Sequence, residues 1–357
     1  FVLNGRISMS IWKKIKQFTN NLTPSRLIVA YYLLTVSVST MLFSLPFVRK
    51  PDAPWSFIDA LFTSVSAVSV TGLTTINISE TFNILGIIIL ILVLQVGGVG
   101  IMTLGTFFWI VLKKKIGIKE RRLIMTDQNQ NNLQGLVKLL RQIVYIFVLI
   151  ELSGALVLGL YYMRYFSDWK EALLNGLFSS VSATTNAGFD ITGHSLVPFA
   201  DDYFVQLVHM ILITLGAIGF PVLVEVKNFL FRNRREIIPA AFSLNTKLTT
   251  VTYFLLVFAG ALFFFLCERT GFLSGKSWHE SLFYSLFQSV SSRSGGLVTL
   301  DIANLDESTL FLLSGLMFIG ASPSSVGGGI RTTTFALSIL FIYNFAQGKR
   351  SIKVFKR

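Results

Sequence analysis

Three short segments of the chain align without a gap: Ser64–Leu73, Ser180–Phe189 and Gln288–Leu297. Each is rich in serine and threonine and carries a glycine at the same offset, namely Gly72, Gly188 and Gly296. The side chains offer no acid–base pair, nucleophile or metal cluster, so the chemistry on offer is that of the main chain. Glycine takes positive φ at little cost, which lets successive carbonyl groups point the same way. Converging carbonyls replace the water shell of an alkali cation. The tripeptides Val70-Thr71-Gly72, Asn186-Ala187-Gly188 and Ser294-Gly295-Gly296 are therefore candidate linings of an ion path. Tight helix packing is the bland alternative for a membrane glycine. It accounts for one such glycine better than for three in register.

Each segment needs an element to carry it. A weakly apolar stretch of about a dozen residues precedes each, such as Ser56–Val68. That length crosses only part of a bilayer. A helix ending at such a depth leaves carbonyls that only protein or water can satisfy. Its C-terminal end also carries roughly half a negative charge. Three such ends meeting on an axis favour a cation there. A tryptophan recurs ahead of each segment (Trp55, Trp169, Trp278) and is read as an anchor at headgroup level.

Composition agrees. Of 357 residues, 52% are hydrophobic, 33 are Phe and only 14% are charged, with mean hydropathy +0.65. The charged share is about half that of a soluble protein. This predicts an all-α polytopic membrane protein with spans near 27–46, 82–112, 142–163, 203–231, 248–267 and 309–346. Repeated helix–pore loop–helix modules would surround a central pore. The organisation reads as a cytoplasmic N-terminal segment (1–26), a first module (27–112), a linker (113–141), a second module (142–231), a linker (232–247), a third module with a broken last helix (248–347) and a basic tail (348–357).

The net charge of +13 is sorted by side, which argues for membrane topology and against nucleic acid. Basic residues crowd the N-terminal segment, both linkers and the tail, while Arg49, Lys50, Arg164, Lys170, Arg269 and Lys276 fall on the other side. The linkers and the ends of this chain are thus expected in the cytoplasm, and the short helices re-enter from outside. The single cysteine, Cys267, reads as a small apolar core residue. His194, His209 and His279 lack metal-ligand spacing.

The returning helices carry further glycine clusters, Gly97-Gly98-Val99-Gly100 and Gly216-Ala217-Ile218-Gly219. The third is far more broken: Gly320-Ala321-Ser322-Pro323-Ser324-Ser325-Val326-Gly327-Gly328-Gly329-Ile330-Arg331. Proline and consecutive glycines end a helix, so this one is predicted to unwind in mid-membrane. A mobile loop below a cation filter is a gate, and Arg331 would repel cations or pin the loop. A static kink with a snorkelling arginine is the alternative. Gly98-x-Gly100 lacks the third glycine and the preceding strand of a nucleotide loop, so no nucleotide site is expected in this chain. Of the intramembrane acids, Glu225 and Glu268 fall near helix ends, and Glu151 is expected to pair with a polar neighbour. The first linker carries both a lysine run and an amide run, Asp127–Asn132, suited to anionic lipid or a cytoplasmic partner.

On the filter tripeptides, the Gly320–Arg331 segment and the linker Lys114-Lys115-Ile116-Gly117-Ile118-Lys119-Glu120-Arg121, the chain resembles the Trk/Ktr/HKT superfamily of potassium transporters, and within it the bacterial Ktr membrane subunit. The resemblance covers nearly the whole chain. It implies that Gly72, Gly188 and Gly296 are filter glycines and that Gly320–Gly329 is an intramembrane gating loop. It implies K⁺ as the transported ion, with Na⁺ as a candidate coupling or activating ion. It also implies a homodimer and a cytoplasmic ring of RCK-type nucleotide-binding subunits. Glycine at all three filter positions favours K⁺, since serine at the first goes with sodium permeation in the related family. The family has four modules and three are legible here, so a fragment of a longer transporter is expected. A non-conducting fragment and a secondary transporter preferring sodium stay open as alternatives. No residue set supports an enzyme.

Overall fold

The computed structural model describes residues 23–51, 53–100, 125, 135–231 and 242–349. Most of the N-terminal segment, the larger part of both linkers and the basic tail lie outside these residues. The described chain is helical, and its one β-type contact is an isolated bridge between Arg49 and Phe82.

Three long helices open the three modules: α1 (Pro24–Phe43), α5 (Leu136–Tyr162) and α9 (Leu244–Glu268). Their windows have mean hydropathies of 1.6, 2.4 and 2.3. At 1.5 Å per residue the 27 residues of α5 and the 25 of α9 exceed the hydrocarbon thickness of about 30 Å. Their outward faces are apolar, with Leu33, Leu152 and Phe258 each around three-fifths exposed, as helices facing lipid are.

A short helix follows each: α2 (Phe57–Val68), α6 (Trp169–Thr184) and α10 (Trp278–Ser291). All three are started by side chains. Ser56 and Asp59 form a capping box on α2, Ser277 and Glu280 form one on α10, and the Asp168 carboxylate accepts from the Lys170 amide on α6. Asp59, Glu171 and Glu280 sit in the first turns and answer the positive helix ends there. The opposite, negative ends are left to act on what lies beyond them.

These polar helices bury their hydroxyls against the long helices. Ser180 Oγ donates to the Glu151 carbonyl (2.8 Å) beside Gly154, and Ser289 Oγ donates to the Val257 carbonyl (2.7 Å) beside Gly260. Both glycines face the serine directly, so the backbones approach as small-residue membrane interfaces do. Glu151 is buried and accepts from Gln95 Nε2 (2.5 Å), the polar neighbour expected of it.

The returning elements are α4 (Ile84–Val99, preceded by the single turn α3, Ile78–Thr81), α7 (Tyr203–Ala217) with α8 (Phe220–Leu230), and α11 (Glu307–Ile319) with α12 (Thr332–Ala346). Here the sequence reading is corrected. The stretch 203–231 is not one straight span: α7 and α8 meet at 106° across Gly219, whose φ is +102°. Pro221 follows in the first turn of α8, where its missing amide costs nothing. Two further corrections are local. Trp169 and Trp278 are 59% and 79% exposed at the starts of their helices, but Trp55 packs edge-on against Phe82 with the Arg49 guanidinium over its ring. Cys267 is half-buried rather than central to the core.

Glu225 on α8 joins the second module to the third. It accepts from the Ser243 amide (2.8 Å), the Ser243 hydroxyl (3.0 Å) and the Thr246 hydroxyl at the start of α9. Glu225→Ala is expected to cost about 1–2 kcal/mol through these unpaired donors. Thermal unfolding in detergent checks it: an unchanged midpoint would show that the joint is not needed.

Candidate ion path

Each short helix ends in a backbone turn that contains a left-handed residue. In the first two modules it is a Schellman closure. The Thr71 amide donates to the Ser66 carbonyl (2.9 Å) and the Val70 amide to Ala67 (3.3 Å); the Ala187 amide donates to Ser182 (2.8 Å) and the Asn186 amide to Ala183 (3.2 Å). In the third, the Gly295 and Gly296 amides share the Ser291 carbonyl. The residue two before each glycine is left-handed: Val70 at φ +54°, Asn186 at +51° and Ser294 at +81°. The glycines follow suit, Gly72 at +83°, Gly188 at +70° and Gly296 at +74°. A β-branched valine in that region is an outlier, so the turn is imposed by its surroundings. This alternation recurs in three stretches of different sequence. The carbonyls of Val70–Gly72 and Asn186–Gly188 take no part in the closing bonds.

The three glycines converge. A Cβ on Gly72 would collide with the Ala187 carbonyl oxygen and lie 3.2 Å from Gly188 Cα; one on Gly188 would lie 3.0 Å from Gly296 Cα. A Cβ on Gly296 would meet only Gly188 within 4 Å. Gly188 thus lies between the other two, and among the described residues the strands form an arc in which a Cβ on Gly296 does not reach Gly72. All nine filter candidates, Val70, Thr71, Gly72, Asn186, Ala187, Gly188, Ser294, Gly295 and Gly296, sit on this arc or directly beside it. Serine hydroxyls fix the outer ends of two strands: Ser182 Oγ donates to the Phe189 carbonyl (2.5 Å) and Ser291 Oγ to Leu297.

On one side the arc opens into a polar cavity of about 300 Å³, lined by Gly72, Thr75, Asn77, Gly188, Asp190 and Gly193. Thr75 Oγ1 donates to Asp59 Oδ1 (2.7 Å), tying the strand beyond Gly72 to the start of α2. The Thr75 hydroxyl, then that of Ser56, holds the Asp59 carboxyl below the usual carboxylate range.

Against Ser294 of the third strand lies the broken stretch between α11 and α12. Gly320 and Gly329 form its neck; a Cβ on either would lie 2.7 Å from the other's Cα. The loop between them reaches all three modules. The Ser322 amide donates to the Ala217 carbonyl (3.0 Å), the Val326 amide to Gly216 (3.2 Å), and the Phe220 amide to the Ser324 carbonyl (2.8 Å). It therefore docks into the bend between α7 and α8. A Cβ on Gly98 of α4 would lie 3.2 Å from a Val326 methyl. The Gly328 amide donates to Ser294 Oγ (3.0 Å). Arg331 Nη1 donates to the carbonyls of Ser322 (3.2 Å) and Gly327.

Two features escaped the sequence reading. One is the bend that receives the loop, for which Gly219 followed by Pro221 was the available signal. The other is Arg293, whose buried guanidinium donates to the Gly320 carbonyl. Its partner is main chain, which no residue type announces.

A chain that is helical throughout its described residues, with three helices long and apolar enough to cross a membrane, belongs to the class of polytopic membrane proteins. A family model described as a cation transport protein, TrkH, matches residues 4–357, and the chain belongs to that family. It is 56% identical over 344 residues to the Ktr system potassium uptake protein D of Bacillus subtilis, covering 96% of this chain and 76% of that protein. It is 31% identical over 350 residues to the potassium/sodium uptake protein NtpJ of Enterococcus hirae, covering 98% and 75%. Among solved structures, the potassium transporter TrkH of Vibrio parahaemolyticus matches with TM-score 0.69 at 19% identity, over 94% of this chain and 65% of that one. That likeness is one of fold. The Bacillus relative is named a potassium uptake protein and the Enterococcus relative a potassium/sodium uptake protein; both names describe transport.

Proposed function

We propose that the protein takes up K⁺ across the cell membrane through a filter lined by the carbonyls of Val70–Gly72, Asn186–Gly188 and Ser294–Gly296. The observation that carries this is the convergence of three glycines in one backbone conformation at the ends of three inward-pointing helices. Those helix ends are negative, and their positive ends are neutralised by acids, so the field at the arc favours a cation. The ion enters through the polar cavity beside Asp190 and is held below by the Gly320–Arg331 loop, which acts as the gate. The open side of the arc is where a fourth strand would complete the ring, as in the four-module family the sequence resembles. The linkers and the ends of this chain face the cytoplasm. A homodimer and an RCK-type nucleotide-binding ring acting on the gate complete the proposal, the first linker being the surface offered to the ring.

The name of the Enterococcus relative favours a second reading in which Na⁺ also passes. One experiment addresses both. In full-length protein expressed in cells lacking their own K⁺ uptake, Gly188→Ser is expected to lower the preference for K⁺ over Na⁺ about tenfold. Its Cβ must enter the space of Gly296 Cα and hold φ +70°. Unchanged preference would remove Gly188 from the filter. Equal uptake of both ions by the unaltered protein would favour the second reading.

A further inference from the structure

Arg293 lies in the third filter strand, one residue before Ser294, and has no exposed surface. Among the described residues no carboxylate is a partner of its guanidinium. Nε donates to the Gly320 carbonyl (2.8 Å), and Nη2 donates to the same oxygen. The guanidinium carbon lies 5.0 Å from the centre of the Tyr253 ring, over its face. Nη1 is buried without a partner. An uncompensated charge in such a place is costly, so its position calls for a reason.

Geometry supplies one. Gly320 is the C-cap of α11, so the guanidinium sits on the negative end of that helix and answers its dipole. The same oxygen belongs to the neck of the intramembrane loop. The other side of the neck is held by the next residue of the strand, through the Gly328 amide on Ser294 Oγ (3.0 Å). Two consecutive filter-strand residues therefore clamp the two sides of one neck. Gly320 itself has φ +62° and ψ −146°, a conformation open essentially to glycine alone. A carbonyl held in that geometry is aimed at its donor.

We infer that Arg293 is a positioning residue for gating: it seats the intramembrane loop beneath the filter by holding the Gly320 carbonyl, with Tyr253 orienting the guanidinium. This rests on the reading of that loop as a gate. Arginine is required because two N–H groups of one plane must reach one oxygen while the face stacks on a ring, which a lysine ammonium does not reproduce.

The test uses the full-length protein with its loop intact and with residues 321–328 deleted. In the intact background, Arg293→Lys is expected to raise K⁺ flux at least tenfold, the order expected for losing one charge-assisted hydrogen bond from the closed state. In the deleted background it changes nothing further. A second variant leaves the strand and the loop untouched. Tyr253→Leu is expected to raise flux as Arg293→Lys does, and Tyr253→Phe, which keeps the ring, restores it. A direct readout accompanies these: the rate at which a water-soluble thiol reagent labels Ser325→Cys, with Cys267 removed, rises several-fold in Arg293→Lys and in Tyr253→Leu.

Equal flux changes with and without the loop would overturn the inference, because Arg293 would then act on the filter alone. Unchanged labelling in both Arg293→Lys and Tyr253→Leu would overturn it as well. Should deletion alone leave flux unaltered, the gate reading fails, and the labelling rates still decide whether Arg293 seats the loop.

Discussion

Gly72→Ala is expected to reduce K⁺ uptake by the full-length protein at least tenfold at equal membrane abundance, and to erase most of its preference for K⁺ over Na⁺. Two physical costs combine there. The backbone holds φ +83°, which costs an alanine about 1–2 kcal/mol. The added Cβ also collides with the Ala187 carbonyl oxygen, and the nearest other atoms are backbone as well, Ala187 C and Gly188 Cα, each at 3.2 Å. No flexible side chain can yield. Relief comes by moving the Ala187 carbonyl, one of the proposed ligands. Gly315→Ala is the matched control. Gly315 lies within α11, has helical φ and would place its Cβ in open space, so the change is expected to be neutral or to stabilise by up to about 1 kcal/mol. Uptake assays of both variants, with melting midpoints in detergent, check the pair. If Gly72→Ala transports K⁺ as selectively as the unaltered protein, the arc of glycines is not the filter.

The sequence made the arc legible because its cause is local. A glycine at a fixed offset after a polar half-span records a backbone requirement, and Val70, Asn186 and Ser294 show that the left-handed residue two positions earlier is set by the turn itself and not by residue type. The caps Ser56, Asp168 and Ser277 are equally local. What stayed hidden depends on partners distant along the chain. From Tyr203 to Leu230 the residues remain largely apolar, and hydropathy runs through the bend that Gly219 introduces. The bend becomes intelligible only once Ser322, Ser324 and Val326 are seen bonding to its exposed main chain. Arg293 escaped the reading for the same reason: its partner is a carbonyl 27 residues away. Trp55 shared its spacing with Trp169 and Trp278, but spacing fixes depth and not which neighbour covers the ring.

Deleting Ala321–Gly328 is expected to raise K⁺ flux at least tenfold without unfolding the protein. The neck makes this deletion unusually clean. Gly320 and Gly329 already touch: a Cβ on either would lie 2.7 Å from the other's Cα. Joining them leaves α11 and α12 where they are. Both are glycines, so the new junction can take whatever φ it needs. The excised segment loses its three backbone bonds to the second module and its bond to Ser294. At about 1 kcal/mol each these bonds are worth several powers of ten in the closed population. The deletion removes the obstruction as well as its fastenings. A static kink gives the opposite expectation. A loop present only to fill space between α8, α4 and the third filter strand would leave a void beneath the glycines, and the strands would lose support. Flux would then fall, and so would selectivity. Flux measured in proteoliposomes, beside the melting midpoint of the same preparation, separates the two. High flux with preserved K⁺ preference makes the loop a barrier distinct from the filter above it, whereas low flux at an unchanged midpoint makes it a strut.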